Sequence, residues 1–496
     1  MKNFLNNNNT LILIFLLCLS SCGKDYLETR PTDEVSEEEV FSTTTNVWAA
    51  LNGIHRIMYS QIFGVQSQGG QSGNILYMDI IGEDMVFNST ANAWLRDEYQ
   101  WIGHRNPTNR MLFYNYQFYY VIIGNANKIL ANVDQAEGPQ EDKDILKGQA
   151  LVYRAWSYFQ MVQLFGERYV AGAANDGLSV PLVLDPKLTA TPRNTVAEVY
   201  AQINTDLTQA VTLLEGYSRA NKSHLDVHVA KGIKARVALT QGDWNAAAEN
   251  AKQAREGFNL MNNNAMLEGF NNYDNTEWMW ASRIQSDQTS YFYSFFAYMS
   301  ANYNSTAIRT NPKSIFSVLY DKISETDVRK KWWDPTGKNT AEFPVPNNGS
   351  RYPYISRKFL VADESLSIGD VPYMRAAEMY LIEAEALARS GSDAAAAEVL
   401  RTFAVNRDPS YQLSMNSGQA LIDEIIVQRR VELWGEGFRF YDLKRTDTAL
   451  DRTGGNHNAT YANSVMEVPV GDKRWQFLIP QDEINNTNGV VTQNPL

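Results

Sequence analysis

Glu432 and Glu436 stand about one helical turn apart in the run Gln428-Arg429-Arg430-Val431-Glu432-Leu433-Trp434-Gly435-Glu436-Gly437-Phe438-Arg439. Two carboxylates on one face do acid–base work when their surroundings push their proton affinities apart. Here Arg429, Arg430, Arg439 and Arg445 are interleaved with them and would hold both ionised, so the spacing points to structural ion pairing. His224 and His228, with Asp226 between them, have a spacing that metal sites use. No third ligand motif lies nearby, and the trio falls where a helix would begin, with Asp226 placed to cap it. The chain has no Gly-x-Ser-x-Gly elbow and no phosphate loop.

The aromatic residues carry a different chemistry. There are 11 Trp, 26 Tyr and 21 Phe. Trp156, Trp244 and Trp434 lie on regular helical patterns and belong to a core, as do Trp278 and Trp280 at strand spacing. In the irregular stretches, flat rings stand beside amide and guanidinium donors. One group is Asn92-Ala93-Trp94-Leu95-Arg96 with Tyr99-Gln100-Trp101; another is Tyr291, Tyr293, Tyr298 and Tyr303 with Asn302 and Asn304. An apolar ring face for C–H stacking and planar polar groups for hydroxyls are what sugar recognition requires, and Tyr and Trp make good anchors. Trp94, Arg96, Trp101, Tyr291, Tyr293 and Tyr298 are therefore the candidate ligand-binding residues. Oligopeptides are the alternative cargo for such a surface. No catalytic set, metal site or cofactor motif stands out, so binding without chemistry is the expectation.

The N-terminus says where this would happen. The apolar run Leu11-Ile12-Leu13-Ile14-Phe15-Leu16-Leu17 follows a polar start with Lys2 and ends at Leu19-Ser20-Ser21-Cys22-Gly23. That is the layout of an export signal, residues 1–21, and the small residues before Cys22 resemble a bacterial lipobox. The run is far short of the roughly 20 residues that span a bilayer. Cys22 is therefore the expected lipidation site, and two or more acyl chains hold a protein firmly. The other cysteine, Cys18, lies inside the signal, so the mature body has no thiol for a disulfide or a nucleophile. Residues 22–40 read as a tether. The net charge of −12 argues against nucleic acid as a partner.

The body, residues 41–496, must position these groups. Val47, Leu51, Ile54 and Met58 recur at helical spacing after the hydroxyls of Thr43–Thr45. Further helices are expected near 111–133, 142–165 and from Thr195 to Leu214. Residues 229–241 and 244–257 form an alanine-rich pair broken at Gly242, and 374–389 with 393–405 form another. Alanine at facing positions lets helices approach closely, as in tetratricopeptide pairs. Glu277–Trp280 reads as a short strand. Residues 61–110 and 268–369 are polar and weakly periodic, and such excursions tend to carry binding function.

Several longer motifs then agree. Val371-Pro372-Tyr373-Met374-Arg375 leads into Ala377-Glu378-Met379-Tyr380-Leu381-Ile382-Glu383-Ala384-Glu385-Ala386, and the Arg429–Arg439 run continues to Tyr441-Asp442-Leu443-Lys444-Arg445. The chain closes on Leu478-Ile479-Pro480-Gln481 and Gln493-Asn494-Pro495. Together these resemble the SusD/RagB family of outer-membrane nutrient-binding lipoproteins of Bacteroidetes. Asn406-Arg407-Asp408-Pro409 departs from the usual family pattern. The resemblance implies a mainly α fold of four tetratricopeptide-like helix pairs with an irregular ligand-binding face and a few short strands. Its N-terminal part would cover about 41–260 and its C-terminal part about 270–496. It also implies a cell-surface protein that captures oligosaccharides and caps a TonB-dependent SusC-like transporter as a hinged lid.

Overall fold

The computed structural model describes residues 36–61, 65–92, 94–186, 189–285, 292, 294–343 and 349–496. Cys22, the signal and most of the tether lie outside the described residues, as do Tyr291 and Tyr293.

Helix α1, Thr44–Ile57, starts where Thr43 accepts the Asn46 N–H at 3.2 Å and buries Val47, Leu51 and Ile54. Helix α2, Gly70–Ile80, is buried along its whole length. It was not visible as a helix in the sequence, because an element without a polar face has no amphipathic period. Gly70 adopts φ +56° against the Met58 backbone, an approach that a Cβ would block.

The long pair α3 (Arg110–Asn132) and α4 (Gln140–Phe165) follows, then α5 (Val196–Leu213). Thr195 and Glu198 form a reciprocal capping box at the start of α5, satisfying two N–H groups that the first turn leaves free. Helix α6 (Val227–Gln241) begins at Asp226, which accepts the Val229 N–H, and ends at Gly242 in the left-handed region, φ 76°. Its partner α7 (Trp244–Ala254) turns back along it. The facing alanines Ala230, Ala235, Ala247, Ala251 and Ala254 are fully buried, so the close approach expected of small residues is realised.

The C-terminal helices are α8 (Ala376–Arg389), α9 (Asp393–Arg407), α10 (Gln419–Glu432) and α11 (Arg439–Arg445). From α3 to α9 each helix packs on the next in sequence, and α7 meets α8 across the long irregular insertion between them. A separate small core of Leu381, Ala384, Leu400, Phe403, Leu421 and Ile425 joins α8, α9 and α10.

Short strands tie the irregular segments to this scaffold. Strands β1 (Met85–Phe87), β3 (Lys313–Ile315), β5 (Ile355–Ser356) and β4 (Trp333–Asp334) form an antiparallel sheet in the order β1-β3-β5-β4. Strand β2 (Trp278–Ser282) pairs antiparallel with β6 (Val371–Arg375). Trp278 and Trp280 are core residues, as their spacing predicts. Among the described residues no helix is long and apolar enough to cross a membrane.

Candidate functional site

The β1–β3 pairing brings the two irregular segments together. Its register sets Met85 opposite Ile315 and Phe87 opposite Lys313. Just beyond β1, Asn311 reaches across and its Oδ1 accepts both the Asn88 N–H (3.0 Å) and the Ser89 N–H (3.2 Å). Asn88 returns its side-chain N–H groups to the Pro312 carbonyl and Ser314 Oγ, each at 2.7 Å. Asn92 Nδ2 donates to Thr310 Oγ1 at 2.9 Å. The chain then runs through Trp94 into a single helical turn, Arg96–Tyr99.

Its two ends meet. The Phe87 and Tyr99 rings lie face to face at 4.4 Å and 7°. Lys313 Nζ sits 4.2 Å from the Phe87 ring centroid, and the Arg452 guanidinium carbon is 4.4 Å from that of Tyr99. The Tyr99 hydroxyl is 2.6 Å from His457 Nδ1, whose Nε2 is 2.7 Å from the Glu83 carbonyl. A carbonyl only accepts, so the proton is on Nε2 and Nδ1 accepts from the tyrosine. Burial pushes the His457 imidazole down to about 3, with Arg452 adding to the effect, which keeps this tautomer neutral. Burial likewise pushes the Lys313 ammonium down to about 7. Arg452 is fully buried and spends its N–H groups on the carbonyls of Ile80, Gly82 and Tyr99.

Held this way, the segment carries backbone strain. Asn92, Leu95 and Trp101 all have positive φ, at 64°, 58° for the tryptophan and 56° for Leu95, within ten residues of chain. Such conformations in non-glycine residues cost on the order of 1–3 kcal/mol each and cluster at ligand clamps.

The sequence-derived candidates separate here. Trp94 is half-buried, and its ring meets that of Tyr298 edge-on at 6.3 Å and 85°. Arg96 is exposed, with its guanidinium 3.9 Å from Asp97. Tyr298 is only 4% exposed, so it braces Trp94 instead of offering a surface of its own. Trp101 corrects the expectation outright. It is 1% exposed, its Nε1 donates to the Ile81 carbonyl at 2.7 Å, and its ring packs against Trp475, Phe440 and His104. It is a core residue with no face for a ligand. Asn311, Lys313, Arg452 and His457, which hold the segment, were missed; no local pattern marks residues whose partners lie hundreds of positions away.

The charged run is structural, but the interleaved arginines do not hold its two glutamates: Arg429 and Arg445 pair with Asp442, and Arg430 and Arg439 with Asp84 and Glu83. Glu432 is fully buried and takes bonds from Arg329 (3.2 Å), Arg375 (2.9 Å) and Arg407 (3.0 Å). Burial alone would raise its proton affinity, but Arg407, Arg375 and Arg329 outweigh that and hold its carboxyl well below the usual range. Glu436 pairs with Arg375 and Lys358, and Asp442 with Arg429 and Arg445. Within the segment Asn406–Pro409, Arg407 bridges Glu277 and Glu432 inside this network. His224 stacks on His55 at 4.9 Å, while His228 turns its Nδ1 toward the Ala254 carbonyl. Among the described residues no three His, Cys, Asp or Glu side chains form a metal-binding group.

A cleft of about 550 Å³ opens at the end of α4, lined by Glu167, Arg168, Lys444, Asp447 and Trp475 among others. Three of its charged groups are engaged within the fold. Arg168 pairs with Asp447 at 3.1 Å, and Lys444 Nζ closes the last turn of α4 through the Gln163 and Gly166 carbonyls.

With this architecture in view, the comparisons with known proteins agree. The chain matches the SusD family over residues 234–496, more than half its length, and belongs to that family. Residues 25–239 match a SusD-like family described as starch-binding and associating with the outer membrane. SusD-like protein P38 of Formosa agariphila is 23% identical over 505 residues, 92% of this chain and 94% of the relative. SusD-like protein P2 of the same organism is 28% identical over 245 residues, 48% of this chain but only 44% of the relative's length. A SusD-like carbohydrate binding protein from Bacteroides vulgatus ATCC 8482 superposes with a TM-score of 0.80 at 24% identity, covering 90% of this chain and 97% of that one. A laminarin-binding SusD-like protein gives 0.70 at 21% identity, over 92% and 99%. The fold is thus the helical, tetratricopeptide-like one of SusD proteins.

Proposed function

We propose that this protein captures carbohydrate at the cell surface, through a shallow site built around Trp94 and Arg96, and passes it on without chemical change. The observation that carries this reading is a half-exposed indole, braced by Tyr298 and held on a strained segment clamped at both ends. A sugar ring would stack its C–H groups on the indole, while Arg96 donates to hydroxyls; Tyr and Trp faces suit such contacts. The starch-binding description of the family and the laminarin-binding relative support a glycan over a peptide.

In the same reading, Cys22 is lipidated in the outer membrane and the body acts as a lid on a TonB-dependent SusC-like transporter, to which it delivers oligosaccharides. Arg96→Ala and Trp94→Ala variants of the mature chain, run in native gels containing laminarin or soluble starch, test the site. Wild-type protein should be retarded by at least one of these polysaccharides and both variants released. Retardation that survives both substitutions, or binding of a peptide mixture in place of the glycans, overturns the reading.

A further inference from the structure

The Trp94 segment gains little from its own composition, since Asn88, Ser89 and Asn92 are ordinary loop residues. What fixes it comes from β3 and its approach. Asn311 Oδ1 takes the first two N–H groups after β1, and Lys313 Nζ lies on the outer face of Phe87 while donating to the Asn311 carbonyl at 2.8 Å. The Lys313 side chain thus ties back to the backbone of the residue whose side chain holds the Asn88 and Ser89 amides. Phe87 in turn stacks on Tyr99, and Arg452 covers the far face, giving a four-layer column of cation, ring, ring and cation. An ammonium over a desolvated ring is attracted by the ring's negative face. The column joins the two ends of the chain that carries Trp94, so disturbing its Lys313 end lets those ends part. No carboxylate forms an ion pair with Lys313 among the described residues; its ammonium meets the Phe87 ring and the Asn311 carbonyl, while burial works against the charged form.

We propose that Asn311 and Lys313 are positioning residues of the carbohydrate site: they touch no ligand, but hold the Phe87–Tyr99 stack closed so that Trp94 and Arg96 are presented in one geometry. This rests on the reading of Trp94 as the ligand platform, yet its own test is independent of any ligand. Lys313→Met keeps most of the side chain's apolar stem and removes its charge, whereas Lys313→Arg keeps the charge. Asn311→Ala removes the clamp on the Asn88 and Ser89 amides.

Amide hydrogen exchange of the peptide covering residues 88–98 is the first readout. Lys313→Met and Asn311→Ala should each speed exchange there by about tenfold, the effect of one such contact. Peptides from α3 and α4 should be unchanged, and Lys313→Arg should restore most of the protection. Because the Met variant also removes a buried cation, its thermal midpoint should stay level or rise, which a merely structural role for Lys313 would not produce. Retardation by laminarin or soluble starch in native gels should weaken by a similar factor. Unchanged exchange at 88–98 in both variants overturns the proposal, as does a fall in thermal midpoint with uniform loss of protection. If Trp94→Ala leaves glycan binding intact while the exchange results hold, the reading of the site fails and the positioning of the segment stands.

Discussion

Replacing Glu432 with Gln keeps the side chain's volume and removes one charge from the interior. Three guanidiniums lose a partner at once, those of Arg329, Arg375 and Arg407. Breaking a buried ion pair by removing one member costs about 3–5 kcal/mol, because the remaining charge is left uncompensated. None of the three is fully abandoned here. Arg407 keeps Glu277, Arg375 keeps Glu277 and Glu436, and Arg329 keeps Asp327. The expected loss for Glu432→Gln therefore sits at the lower end, about 3 kcal/mol. Urea unfolding followed by far-ultraviolet circular dichroism and by tryptophan fluorescence measures it, and coincident transitions from the two probes license the comparison. Glycan retardation, referred to the folded fraction, should be unchanged. A loss below about 1 kcal/mol would place this carboxylate among weakly coupled surface charges and refute the reasoning. A variant of full stability that no longer bound glycan would refute it differently, by giving the charged run a direct part in function.

Trp101→Ala should cost about 3–5 kcal/mol, the range for truncating a buried aromatic, whereas Trp94→Ala should cost less than half of that; equal losses in urea melts would contradict the placement of the two rings. His104 is fully buried, and burial pushes its imidazole down to about 3 from the usual 6.5. Between those values the unfolded chain takes a proton that the folded chain refuses, so this stability is intact above about pH 6.5 and is lost as pH falls. At pH 5 the loss is about 2 kcal/mol, and the stability difference between wild type and His104→Gln should shrink by that amount from pH 8; parallel pH curves for the two proteins would exclude it.

Much of the scaffold was legible in the sequence because it depends on short-range pattern. The α1 face of Val47, Leu51 and Ile54, the start of α5 at Thr195 and the alanine seam between α6 and α7 each follow from neighbours within a turn or two. The run around Glu432 was readable as ion-paired, but its partners were not: Arg329, Arg375 and Arg407 reach Glu432 from other parts of the chain, while the neighbouring Arg430 and Arg439 turn to Asp84 and Glu83. Helix α2 was not readable, because burial on every side erases the period by which a helix is recognised.

The candidate site divides along the same line. That aromatic rings beside amides and guanidiniums in the 88–101 segment could grip a sugar follows from residue types alone. Which ring faces outward does not, for Trp94 and Trp101 are seven residues apart in similar company. Ile81, Phe440 and Trp475 enclose one of them, and Tyr298 meets the other only at its edge. Asn311, Lys313 and Arg452 reach the segment from more than two hundred positions away. Exposure and cation–ring geometry are set by neighbours in space, so the chemistry available to this protein was written in its sequence, and the choice of residues to perform it was made by folding.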